Sequence, residues 1–148
     1  MEINLDKRYQ TLVVLWLALF LSIGGYFLFS VFLAPETANE PLNPPSRLLS
    51  VGLAALSVFL VGASFAVKRR LLERSAEQQD VLLVQKAMVI ACAMCEVSAL
   101  LGVLERFVIG NREYYLLFLV AATGIAFHFP RRSQLESASY KGPASSVK

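Results

Sequence analysis

Charge is scarce in this chain. Of its 148 residues only 17% are Asp, Glu, Lys or Arg, while 56% are hydrophobic. The mean hydropathy of +0.57 lies outside the usual range of a soluble domain. There is one histidine, and the two cysteines, Cys92 and Cys95, fall inside an apolar run, so no disulfide framework is available. No nucleophile stands beside a base, no glycine-rich loop has the form of a phosphate site, and no second cysteine pair completes a metal site with the first. These absences argue for a protein that is not an enzyme and holds no structural metal.

What is present is clustered apolar sequence. Four windows stand out, at Leu12–Leu33, Leu48–Val67, Ala87–Leu104 and Tyr114–Phe129. A helix rises about 1.5 Å per residue and the hydrocarbon core of a bilayer is about 30 Å thick, so roughly 20 residues cross it. The expected fold is therefore all-α: an integral membrane four-helix bundle forming a single domain, with spans at about 10–33, 48–67, 81–106 and 113–130. The first window is longer than the apolar region of a signal peptide, and "FLAPETANE" after it offers no good cleavage site, so it is read as a retained anchor. Too little chain remains outside the windows for a separate soluble catalytic domain.

Orientation follows from Lys and Arg in the short loops. The first tail, the loop between spans two and three and the last tail hold ten of them, against three in the other two loops. Both termini are thus expected in the cytoplasm, which fits a multi-pass protein of a bacterial inner membrane. Insertion and anionic lipid account for the formal charge of +3 without a nucleic-acid partner.

Several local signals refine the picture. Pro44 and Pro45 bar a helix from continuing through the loop "APETANEPLNPPSR". In span two, Ser50, Ser57 and Ser64 recur every seven residues beside Gly52 and Gly62. Span three carries Ala91, Cys95, Ala99 and Gly102 at spacings of three and four. Small residues let transmembrane backbones pack closely, so Gly52, Ser57, Gly62, Ala91, Cys95, Ala99 and Gly102 are the expected packing positions. Ser75 with Gln78 three residues on has the form of a capping box, which would start the third helix there. Gly110 and Asn111 suit a left-handed cap and a tight turn. The last segment, 131–148, has the composition of a flexible cytoplasmic tail.

Three residue groups could carry chemistry. Glu96 is ten residues from Lys86 and ten from Arg106, about 15 Å from either end of its span and so near the midplane. A carboxylate there is costly, and its neighbours along the helix supply no cation, so it is protonated, paired or beside water. The bland role is a protonated glutamate bonding to a neighbouring helix, and the sharper one is an ion-binding site. His128, between Phe127 and Phe129, is a candidate ligand for haem or chlorophyll, or else an ordinary interfacial histidine. Cys92 and Cys95 form a C-x-x-C inside an apolar helix, where thiolates are not stabilised, and read as small fillers. The group Glu105, Arg106, Arg112 and Glu113 brackets the turn and is expected to form at most weak surface bridges.

Glu96 followed by "VSALLGVL" resembles the ion-carrying helix of the ATP synthase and vacuolar ATPase rotor proteolipids, over about residues 91–104. The chain also has a general similarity to uncharacterised small bacterial four-span membrane proteins. The proteolipid resemblance implies ion or proton translocation through Glu96. The proteolipids place glycine-rich repeats on the helix paired with the carboxylate helix, and here that helix has only Gly52 and Gly62. The residues themselves favour a non-catalytic accessory or structural subunit of a larger, energy-transducing membrane complex. Its partners would be membrane lipids and larger membrane subunits.

Overall fold

The computed structural model describes residues 5–33 and 44–139, and all regular structure among them is helical. Helix α1 spans Leu5–Phe32, α2 Pro44–Gln78 and α3 Val81–Leu104. A π turn, Glu105–Ile109, and a 3-10 turn, Arg112–Tyr114, lead into α4, Tyr115–Phe127, and α5 covers Arg132–Ser139. The proline-rich stretch 34–43 and the final residues 140–148 lie outside the described residues.

Helices α1, α2 and α3 with its π turn are long and apolar enough to cross a membrane. A fourth span exists if the helical run Arg112–Phe127 and α5 are counted together, with a bend of 48° between them. The short fourth helix has a local cause. Pro130 disfavours the helical conformation for Phe129 and lacks an N–H, so α4 closes at His128, two residues before it. Pro44 and Pro45 do the converse at α2, occupying its first turn, where N–H groups have no helical partner anyway.

The bundle is built around α3. It packs against α1, α2 and α4; α1 and α2 each pack on α3 and α4 and lie on opposite flanks. In the most apolar window of each helix, α3 has 44% of its residues buried, α2 17% and α1 11%. The outer faces of α1 and α2 are correspondingly apolar and bare, with Phe59 69% exposed, for example. Such continuous apolar surface is what lipid or other membrane helices cover.

Ala91, Cys95, Ala99 and Gly102 are all buried on α3. Gly102 admits the Phe118 ring, which a Cβ there would meet at 3.0 Å. Gly52 and Gly62, also expected at packing positions, do not pack within the chain: both face outward, and a Cβ at either would meet nothing within 4 Å. The reason lies in the serines. On a helix that is apolar all round, the side that must find hydrogen-bond partners turns inward, and Ser50, Ser57 and Ser64 are all buried. Sequence reasoning also passed over Gly124, the tightest glycine. A Cβ there would lie 2.8 Å from both Cys95 Sγ and Val61 Cγ1, where α2, α3 and α4 converge.

At the end of the bundle carrying Gly110, the turn forms as expected. Gly110 has φ 76, a left-handed conformation that glycine adopts without steric cost, and the Asn111 side chain accepts from Glu113 N at 3.0 Å. At the opposite end two expectations fail. The capping box does not form: α2 runs on through Ser75 to Gln78, and Ser75 Oγ donates to Asp80 O at 2.7 Å. The cap of α3 is Asp80, whose carboxylate accepts from Leu82 N at 2.8 Å. Residues 132–139, part of the expected flexible tail, instead form α5. Leu135 and Ala138, three apart and hence on one face, are buried on the bundle end, and Arg132 meets Asp6 of α1 at 2.6 Å.

Candidate functional site

Most of the buried polar side chains fall on one seam, where the serine face of α2 meets α3 and the end of α4. Seven residues on a helix return almost to the same side at intervals of about 10 Å. Each serine of the repeat therefore meets a different level of α3. Ser50 donates to Glu105 Oε1, Ser57 pairs with Ser98, and Ser64 lies 3.7 Å from Cys95 Sγ and 2.7 Å from His128 Nε2. On α3 the partners Cys95, Ser98 and Glu105 continue the spacing of the small-residue stripe through Gly102.

The level nearest Gly110 is a triangle. Asn111 Nδ2 donates to Glu105 Oε1 at 2.6 Å and to Ser50 Oγ at 2.8 Å, while Glu105 is only 1% exposed and its Oε2 has no protein partner. Glu105 thus turns inward and takes no part in a surface bridge, while Arg106 lies over the Tyr114 ring, 5.0 Å from its centroid. The π turn helps here, because one extra residue in the turn re-aims the side chains that follow. Glu105 was not singled out as buried from sequence. The signal was its position one turn beyond Gly102 on the same stripe.

The opposite level gathers His128, Ser64, Cys95 and Lys68. His128 is 0% exposed, with its ring 4.4 Å from that of Phe65 and its Nδ1 unpartnered. A proton on Nδ1 would be a buried donor with no acceptor. The satisfied arrangement puts it on Nε2, donating to Ser64 Oγ, which donates to Val61 O at 2.6 Å. Lys68 Nζ donates to His128 O at 3.2 Å, and Trp16 Nε1 donates to Ile125 O at 2.8 Å. Both side chains reach carbonyls at the C-terminal end of α4, where Ile125 O also accepts from His128 N at 2.9 Å.

His128, the candidate haem or chlorophyll ligand, is thus enclosed where α2 meets the end of α4. In this arrangement Nε2 carries the proton toward Ser64 and the lone pair lies on Nδ1, which has no protein partner among the described residues, within a fully buried ring. Cys92 and Cys95 are buried and unbonded to each other, and among the described residues no group of three metal-ligating side chains comes together.

Glu96 stands apart from the seam. It is half-buried on the flank of α3 that faces α1, and its partner there is Ser22. Ser22 Oγ also lies 2.8 Å from Leu19 O. No cation faces Glu96 in a described ion pair.

The chain matches no known protein family, no curated protein and no solved structure. The reading of its role rests on its own residues.

Proposed function

We propose that this chain is a non-catalytic accessory subunit of a larger, energy-transducing membrane complex, embedded as four spans with both termini in the cytoplasm. The observation that carries this reading is the division of the molecule. Its interior polar groups bond mainly to one another across helices, while α1 and α2 present long apolar faces outward. Side chains bonded in this way lock a bundle together, and among the described residues they leave no open site where a substrate would meet reactive groups. The apolar flanks are then the surfaces for lateral association. Photo-crosslinkers at Leu17 and Leu28 on α1, and at Leu56 and Phe59 on α2, are expected to join the chain to a larger membrane subunit in native membranes. Crosslinks to lipid alone from all four positions would overturn the proposal.

A second reading, proteolipid-like ion translocation, is favoured by one feature: Glu96 is a midspan carboxyl at the rim of the bundle, half-buried against α1 with Ser22 as its side-chain partner. Under that reading Glu96→Gln abolishes transport by the reconstituted protein while the fold survives, and a carbodiimide labels Glu96 faster at low pH than at high pH. Unchanged transport, or no transport by the wild type, sinks it.

A further inference from the structure

At the end of the bundle where α3 begins, two grooves adjoin. One, of about 180 Å³, lies between α1 and α3 beside Leu135 of α5, and its walls include Arg8, Thr11, Leu12, Leu82 and Gln85. The other, of about 360 Å³, runs on along α3 past Leu82, Gln85, Lys86, Val89 and Ile90. Leu82 and Gln85 line both, so the grooves meet along one turn of α3. Each contributes a cation, and the Gln85 amide stands at the join. Lys86 is exposed, Arg8 and Gln85 are half-buried, and among the described residues none of the three side chains has a hydrogen-bond or ion-pair partner. The carboxylates nearest to them in sequence are engaged elsewhere: Asp6 meets Arg132 at 2.6 Å, and Asp80 accepts from Leu82 N at 2.8 Å.

Beyond Lys86 the same side of α3 is apolar and open. Ile90, Ala93, Val97 and Leu100 follow at steps of three and four, and all are exposed. From Lys86 to the level of Glu96 is about 15 Å along the helix, half the thickness of a hydrocarbon core.

We infer that the paired grooves bind one anionic phospholipid, with its phosphate between Arg8 and Lys86, its ester region at Gln85 and an acyl chain along Val89, Ile90 and Ala93. The inference rests on the membrane reading of the bundle and not on its role as an accessory subunit. Two cations and an amide, all without partners in the chain, form a donor set for phosphate oxygens, and the open apolar face continues from them over the depth of one leaflet. The other large grooves supply a contrast. Those of about 510 Å³ between α2 and α4 and about 410 Å³ between α1 and α4 have no charged residue in their linings. A second copy of the chain suits this face poorly: copies inserted in the same orientation and paired symmetrically along it would set Lys86 against Lys86.

The test is native mass spectrometry of the full chain in mild detergent, titrated with palmitoyl-oleoyl phosphatidylglycerol or the matching phosphatidylcholine. The wild type is expected to retain one phosphatidylglycerol in preference to phosphatidylcholine. Arg8→Gln and Lys86→Gln should each reduce that preference about fivefold, the weight of one interfacial cation. Arg131→Gln is the control, because Arg131 is exposed and lines neither groove, and it should leave the preference unchanged. Glycerol phosphate, a headgroup without chains, should not displace the lipid. Equal retention of the two lipids by the wild type, an unchanged preference in either groove variant, an equal loss in Arg131→Gln, or displacement by glycerol phosphate would each overturn the proposal. Circular dichroism of each variant confirms that its helices are intact.

Discussion

Replacing Gly124 by alanine adds one carbon, and its cost can be worked out from the structure. The new Cβ would stand 2.8 Å from Cys95 Sγ on α3 and 2.8 Å from Val61 Cγ1 on α2, with Val61 Cγ2 at 3.4 Å. A carbon needs about 3.5–4.0 Å to a non-bonded neighbour, so both contacts must open by roughly 1 Å. Neither neighbour is the end of a long flexible chain: Val61 is β-branched and Cys95 is short and buried. The helices themselves must move apart, and overpacking of this kind costs about 1–3 kcal/mol. It would also strain the Ser64 contacts to Cys95 and His128, which lie at the same level. Reversible unfolding in mixed micelles, followed by circular dichroism as the denaturing detergent fraction rises, measures the difference. Gly124→Ala should lower stability by that amount, and Gly62→Ala, with open space at its Cβ, should change it by less than about 0.5 kcal/mol. Adding Val61→Ala and Cys95→Ala to Gly124→Ala removes the atoms in conflict, so the third change should cost less in that background than in the wild type. A Gly124→Ala protein as stable as the wild type would refute the reasoning about how the three helices meet.

Other consequences are as direct. Ser57→Cys with Ser98→Cys should oxidise readily to a disulfide seen as a mobility shift, whereas Gly62→Cys with Ser98→Cys should not, because Gly62 faces outward. Glu105→Gln keeps an acceptor for Ser50 and Asn111 and should cost little, while Glu105→Leu strands both and should cost about 1–3 kcal/mol in the same unfolding assay. Asp80→Ala removes the cap of α3 and should cost about 1 kcal/mol, with Asp80→Asn close to wild type; equal losses in the two variants would show that Asp80 acts otherwise than as a cap.

The long apolar windows and the turn at Gly110 were legible in the sequence because length, hydropathy and a glycine's left-handed preference are local properties. The direction in which each helix faces was harder to read. In a bundle without an amphipathic stripe, small residues and hydroxyls both signal contact, and on α2 they point to opposite sides; the hydroxyls turned inward and Gly52 and Gly62 did not. Ser75 and Gln78 have the spacing of a capping box, yet the same spacing occurs by chance inside a helix, and α2 simply continues through both. An eight-residue helix such as α5 is marginal alone, so its composition reads as a tail; Leu135 and Ala138 make it a helix by docking on the bundle end. Glu96 was recognised as anomalous from its position, but only the fold supplies Ser22 as its partner. Glu105 reads as a surface charge until Ser50 and Asn111 are seen around it.

The proposed role is tested most directly by the mass of the assembly that holds this chain in its native membrane. A tag on the C-terminus, gentle solubilisation and size determination, with mass spectrometry of the accompanying polypeptides, give that mass. Larger integral membrane subunits in fixed ratio to the chain are expected. A free monomer would contradict the accessory role, as would a ring of this chain alone, which would turn attention to Glu96 as an ion carrier.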